Sequence, residues 1–109
     1  MHIDRIYFGH LLYNIGLAYR GAASVYYDEA MDIITQINNK EEVLSSIKKD
    51  GINNLKIAKD YFSEARLYFL DASVEEMEDA GNRASYMKDI IEQIDDLYIP
   101  FLEESSLRE

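Results

Sequence analysis

Very small residues recur every seven positions in the first third of the chain and again in its middle. Seven residues are two turns of an α-helix, so each series lies along one stripe of a helix. Larger side chains follow each small one by three or four positions. This pattern predicts two helices that pack closely, either on each other or across a dimer interface. The predicted packing seam consists of Gly9, Gly16, Ala23, Ala30, Ala58, Ala65 and Ala72.

Apolar positions with helical spacing predict four helices, at residues of about 3–37, 40–50, 53–80 and 83–98. Pro100 should break or kink the last helix, because proline disfavours helix in the residue before it, and a short tail should follow. Helices joined by short links lie antiparallel. The expected fold is therefore all-α, an antiparallel up-down four-helix bundle with one long N-terminal helix, as a single domain over residues 1–109.

The boundary at Gly51 decides between four helices and three. Gly51 suits the left-handed position after a helix end, and Ile52 would then fold back on Ile47 as in a Schellman motif. The apolar positions on either side of Gly51 nevertheless stay in phase, which is the pattern of one continuous helix. The break is favoured, and three long helices are the alternative.

Charge is distributed unevenly along the chain. The net charge is −10, and residues 64–109 carry 13 acids against 4 bases. Such a chain repels nucleic-acid phosphates, whereas it accommodates a basic protein partner. The absence of cysteine excludes thiolate chemistry and disulfides. The N-terminus has no signal-peptide pattern, and polar residues interrupt its apolar stretch, so we expect a cytoplasmic protein that does not enter a membrane.

The segment Leu12–Tyr19 followed by Tyr27–Ala30 resembles the two helices of a tetratricopeptide repeat, and residues 62–65 echo the second motif 35 residues later. The spacing between the motifs is two residues too long, and no third repeat follows. The resemblance covers about a third of the chain and implies a scaffold that binds peptides or proteins.

Carboxylates are the only plentiful reactive side chains. Acidic groups on helix 1 and helix 4 resemble the two acidic motifs of all-α nucleotide pyrophosphohydrolases, although about sixty residues separate them, more than in that family. The resemblance implies a Mg²⁺ site, since Mg²⁺ prefers oxygen ligands. Its ligands would be Asp28, Glu29, Asp32, Glu92, Asp95 and Asp96.

Two further features point to protein partners. Acids near a helix C-terminus are unfavourable, so an acidic cluster there indicates a docking site for a basic partner, or else a helix boundary near residue 72. This cluster is Glu75, Glu76, Glu78 and Asp79. The tyrosines exceed what one buried stripe per helix accommodates, and we expect some of them to meet a partner: Tyr7, Tyr13, Tyr27 and Tyr86.

No nucleophile–base pair, phosphate loop or cofactor motif is recognisable, and we expect no cofactor. The sequence therefore favours a non-enzymatic protein–protein interaction or assembly module that forms a homodimer. The alternatives are the Mg²⁺-dependent hydrolase and an acidic decoy that inhibits a basic nucleic-acid-binding protein.

Overall fold

The computed structural model describes residues 5–75 and 77–107, and this part of the chain forms three long helical rods. They are α1 (Arg5–Asn38), α2 (Ser45–Val74) and a third rod made of α3 (Ala80–Gln93), a π-helical segment (Ile94–Tyr98) and α4 (Ile99–Leu107). The all-α class is confirmed, whereas the four-helix count is not supported. The predicted start at residue 3 lies outside the described residues. The molecule is elongated, with extents of 63 × 18 × 18 Å.

Helices α1 and α2 pack antiparallel along the two series of small residues. At Gly16 and Gly51 the missing side chain leaves room for a large side chain of the other helix. The Phe69 ring lies so close to Gly16 that a Cβ atom there would stand 2.8 Å from it. Gly51 in α2 receives Ile33 of α1 in the same way. The seam is therefore a close contact between two helices of one chain. At these glycines, a side chain of each helix reaches the backbone of the other.

The third rod packs mainly on α2 and closes the core. Its largest fully buried side chains are Met87, Ile94 and Leu102, which lie with Phe62 and Phe69 of α2. Polar contacts fix the far end of the rod. The Lys48 ammonium on α2 donates to the Ser105 carbonyl at 3.0 Å, and the hydroxyls of Ser45 and Ser106 lie 3.1 Å apart. Because the last carbonyls of a helix lack partners within the helix, this lysine also satisfies the end of α4.

The predicted break at Gly51 is wrong, because α2 runs through it from Ser45 to Val74. Gly51 takes no left-handed conformation, and its missing side chain instead makes room for Ile33 and Leu102. The Schellman motif lies at the end of α1. Lys40 has a φ of 62°, its N–H donates to the Ile37 carbonyl, and the Glu41 N–H donates to the Gln36 carbonyl.

The predicted helix end at Pro100 is also wrong, since α4 continues to Leu107 and buries Leu102 completely. Proline lacks an N–H, and in an α-helix its ring clashes with the carbonyl four residues earlier. The segment before Pro100 adopts π-helical geometry, in which the Ile99 N–H donates to the Ile94 carbonyl five residues back. This wider turn lets the rod pass the proline without ending.

The tetratricopeptide resemblance implied two short helices within residues 12–30, but α1 is unbroken from Arg5 to Asn38. Gly21, where a turn would fall, is an exposed residue inside the helix. No helix in the described part of the chain is both long and apolar enough to cross a membrane.

Candidate protein-interaction surface

The seven residues of the predicted seam are all buried between helices of the same chain. Ala23, Ala30, Ala58, Ala65 and Ala72 have no exposed surface at all. A second copy of the folded chain therefore has no access to them. The predicted dimer interface was this seam, so a surface for a partner has to lie outside it.

The six carboxylates of the hydrolase alternative do not converge on one site. Asp28 lines a groove between α1 and α3, whereas Glu29 accepts a hydrogen bond from Asn54 on α2 at 3.2 Å. Asp95 pairs with Lys59 on α2 at 2.8 Å. In residues 5–75 and 77–107, no three acidic or histidine side chains lie close enough to hold a metal ion. The opposed clusters that this alternative requires do not form. The other three carboxylates of this set, Asp32, Glu92 and Asp96, are exposed as well.

The acidic cluster that follows α2 forms the loop between α2 and α3, except for Glu76, which lies outside the described residues. Helix α2 ends at Val74, and α3 begins at Ala80. Asp79 is the N-cap of α3, where an acid is favourable, and Glu78 precedes it, whereas Glu75 caps the C-terminus of α2, where an acid stays unfavourable. Asp79 accepts hydrogen bonds from Arg83 Nε at 2.8 Å and from the Tyr13 hydroxyl at 3.2 Å. Asp79 therefore ties α1 to the start of α3.

The four tyrosines that we expected to meet a partner divide into two pairs. Tyr7 and Tyr86 are exposed, with 68% and 62% of their surface accessible. Tyr13 packs edge-on against Phe69, and the Arg83 guanidinium lies over its ring at 5.4 Å. Tyr27 also packs internally, so of these four tyrosines Tyr7 and Tyr86 are the exposed ones.

Tyr27 lies where all three rods meet. Its ring packs edge-on against Phe62 at 5.8 Å and against Tyr98 at 6.2 Å. Burial of the hydroxyl, with a hydrogen bond to Tyr98 as the second cause, raises the pKa of Tyr27 from 10.0 to about 12. The folded state therefore holds this proton more tightly than the unfolded state does.

Stability should fall at alkaline pH, in part through Tyr27. The contribution of its raised pKa is fully present below pH 10 and is lost as the pH rises towards about 12. We expect a Tyr27→Phe variant to lose less stability over this range than the wild type does. Urea unfolding of both proteins on either side of pH 10 measures the difference. Equal losses in the two proteins would contradict the assignment.

Four other tyrosines form a continuous row across the α1–α2 seam, which we name the tyrosine row. Tyr26 stacks on Tyr61 with ring centroids 6.0 Å apart, and Tyr61 lies 6.3 Å from Tyr19. Tyr19 in turn stacks on Tyr68 at 5.5 Å with an interplanar angle of 14°. All four side chains are partly buried, so each keeps some accessible surface.

The third rod packs on the other side of the α1–α2 pair. Its contacts with α1 involve Tyr13 and Tyr27, its contacts with α2 include Lys59, and it shares a surface groove with Arg66 of α2. The tyrosine row belongs to neither set. It therefore lies on the face of α1 and α2 that α3 and α4 leave uncovered.

The neighbours of the tyrosine row complete a surface that we name the tyrosine face. Residues three or four positions away share a face of a helix. For these four tyrosines, some of these neighbours belong to the packing seam, and the others lie on the side of the row away from the seam; we call the latter the outward neighbours. The outward ones are three apolar residues and three acids, without a single base: Ile15, Ala22 and Glu29 on α1, and Ile57, Glu64 and Asp71 on α2.

The sequence carries a signal for the tyrosine row, which the prediction of partner-facing tyrosines missed. Tyr19 and Tyr26 are seven residues apart, as are Tyr61 and Tyr68, and each pair borders a series of small residues. That spacing places each pair on the edge of its own helix. The contact between the pairs depends on the register of α1 against α2, which the spacing alone does not give.

Comparisons with protein-family models, with curated proteins and with solved structures find no significant match to this chain.

Proposed function

We propose that this protein is a non-enzymatic protein–protein interaction module that binds its partner through the tyrosine face. The observation that carries the proposal is the row formed by Tyr19, Tyr26, Tyr61 and Tyr68, which is ordered by stacking but not covered by the third rod. Tyrosine is enriched in interfaces because it combines a broad apolar ring with a polar hydroxyl.

Preorganisation supports this role. Binding normally costs about 0.5–1.5 kcal/mol for each side chain that becomes immobilised. The rings of the row already restrain one another through contacts of 5.5 to 6.3 Å, so little further ordering is needed. Ile57, which is 39% exposed, extends the apolar surface beside Tyr61. An acidic decoy for a nucleic-acid-binding protein would be one form of such a module.

Affinity capture with two matched variants tests the proposal. Ala22→Gln/Ile57→Gln places polar side chains in the middle of the tyrosine face, at helix-surface positions where glutamine is well tolerated. Val25→Gln/Leu97→Gln makes the same kind of change at residues that are 60% and 58% exposed elsewhere. We expect the wild type and the second variant to capture the same partner, and the first variant to lose it.

Sedimentation equilibrium of the purified protein completes the experiment, because self-association through the tyrosine face would also be lost in Ala22→Gln/Ile57→Gln. The proposal is overturned if that variant keeps every association that the wild type makes. It is overturned equally if the wild type captures nothing and sediments as a monomer of 12.7 kDa at all concentrations.

A further inference from the structure

We infer that the tyrosine face binds a basic amphipathic helix of a partner protein. This inference rests on the proposed function and adds the chemistry of the partner. It follows from the charges that border the tyrosine row, from the shape of the surface, and from the consequence of placing a second copy of the chain on it.

The border of the tyrosine row carries charge of one sign. Glu64 lies between Tyr61 and Tyr68, three residues after the first and four before the second. Asp71 follows Tyr68 by three residues and lines a surface groove with Glu64 and Tyr68. Both carboxylates are exposed and available to accept charge-assisted hydrogen bonds. Lysine or arginine side chains flanking an apolar stripe would complement them.

The first helix adds a third acid to the border of the face. Glu29 follows Tyr26 by three residues, is exposed, and accepts a hydrogen bond from Asn54 on α2. Carboxylates from both α1 and α2 therefore border the tyrosine row. A partner with basic residues on both flanks of its apolar stripe fits this arrangement better than one with a single basic edge.

A second copy of the chain fits this surface poorly. A two-fold symmetric dimer pairs the same patch of both molecules. It would bring the carboxylates of Glu29, Glu64 and Asp71 towards the same groups of the other copy, with no basic outward neighbour to pair them. Like charges that face each other across an interface are destabilising.

The surface has the length and direction of a site for a helix. It follows the line along which two antiparallel helices meet, and from Ile15 to Glu29 it extends about 21 Å, or four helical turns. The backbone groups of α1 and α2 are bonded within their helices, so the face offers no edge to which a strand could add. A helix with apolar residues at i, i+3, i+4 and i+7 would place them along the tyrosine row.

A designed peptide provides the probe. It has about 18 residues of leucine and lysine, with the leucines on one helical stripe, and forms about 27 Å of helix. A second peptide has glutamate in place of every lysine. We expect the lysine peptide to bind the full chain with salt-sensitive affinity, as measured by fluorescence anisotropy, and the glutamate peptide not to bind. The changes in amide chemical shift that the lysine peptide causes in NMR spectra should concentrate at residues 15–29 and 57–71.

Charge reversal with a matched control separates the tyrosine face from the general acidity of the protein. Glu64→Lys/Asp71→Lys should weaken binding of the lysine peptide about tenfold or more. Asp89→Lys/Glu103→Lys changes the net charge equally, at exposed residues of α3 and α4, and should weaken it less than about threefold. Circular dichroism of both variants checks that they remain folded.

The inference is overturned if the two charge reversals act equally, if the glutamate peptide binds as well as the lysine peptide, or if the NMR shifts map to another surface. One further result would distinguish this inference from the proposed function. If the captured partner is lost in Ala22→Gln/Ile57→Gln but kept in Glu64→Lys/Asp71→Lys, the tyrosine face is an interaction site whose partner is not basic. That result removes this inference and retains the proposed function.

Discussion

Replacing Leu102 by alanine is expected to lower the free energy of unfolding by about 3 kcal/mol, a typical cost for a fully buried leucine. Leu102 has no exposed surface, and its Cδ1 atom would stand 3.1 Å from a Cβ atom on Gly51. Its removal leaves a cavity between α4 and α2 at a place where Gly51 has no side chain to fill it. Urea unfolding followed by circular dichroism measures the change.

Leu107→Ala is the matched control for this experiment, because Leu107 lies in the same helix but is 85% exposed. Its substitution should change stability by less than about 0.5 kcal/mol. If Leu102→Ala were as mild as this control, α4 would not be packed on α2. The part of the chain beyond Pro100 would then be the loose tail that the proline alone predicted.

Gly16→Leu is expected to destabilise the protein by about 3 kcal/mol or more, because it overfills the α1–α2 seam. A Cβ atom at Gly16 would already lie 2.8 Å from Phe69 Cε1 and 2.9 Å from Phe69 Cδ1. Phe69 is completely buried and holds Tyr13 edge-on, so its ring has little freedom to move aside. Even Gly16→Ala should lose about 1 kcal/mol, despite the higher helix propensity of alanine.

Gly21→Ala separates packing from propensity. Gly21 is in the same helix, and a Cβ atom there would meet nothing within 4 Å. Alanine at this position should therefore stabilise the protein by up to about 1 kcal/mol, in the opposite direction to Gly16→Ala. Thermal melts of the two alanine variants give the sign directly. A rise of the melting temperature in both would show that the seam is loosely packed.

The small residues are the most informative part of the sequence for the fold. Spacing of seven identifies a helix stripe, and glycine within a helix is unfavourable unless something needs the space. Gly9 and Gly16 therefore indicate a close neighbour from the sequence alone. Spacing does not say whether that neighbour belongs to the same chain, since α2 and a second copy of α1 both satisfy the pattern.

The predicted helix ends at Gly51 and Pro100 are wrong for a common reason. Both residues are usual at helix ends, and local preference favours that interpretation. At Gly51 tertiary packing decided the outcome, because Ile33 and Leu102 occupy the space that a side chain would take. At Pro100 the π-helical segment accommodates a residue that cannot donate a backbone hydrogen bond, and the burial of Leu102 stabilises the continued helix. Residue preferences at helix ends include neither the tertiary packing nor the π-helical turn.

The candidate surface was the least predictable feature. The acidic residues were visible in the sequence, but which of them border an apolar strip depends on the orientation of α1 and α2. Asp95 pairs with Lys59 at the contact of the third rod with α2, whereas Glu64 borders the tyrosine row. In the sequence, Asp95 and Glu64 both look like acids on a helix surface. What distinguishes a structural ion pair from a possible partner contact is the side of α2 on which each carboxylate lies.

The elongated shape has a practical consequence for studies in solution. A compact chain of this length has a radius of gyration of about 13 Å, and the value here is 16.9 Å. A rod experiences more frictional drag and diffuses more slowly than a sphere of the same mass. A monomer of this protein will elute early from a gel-filtration column and resemble a dimer when its mass is read from globular standards. Light scattering, which does not depend on shape in this way, gives the number of chains.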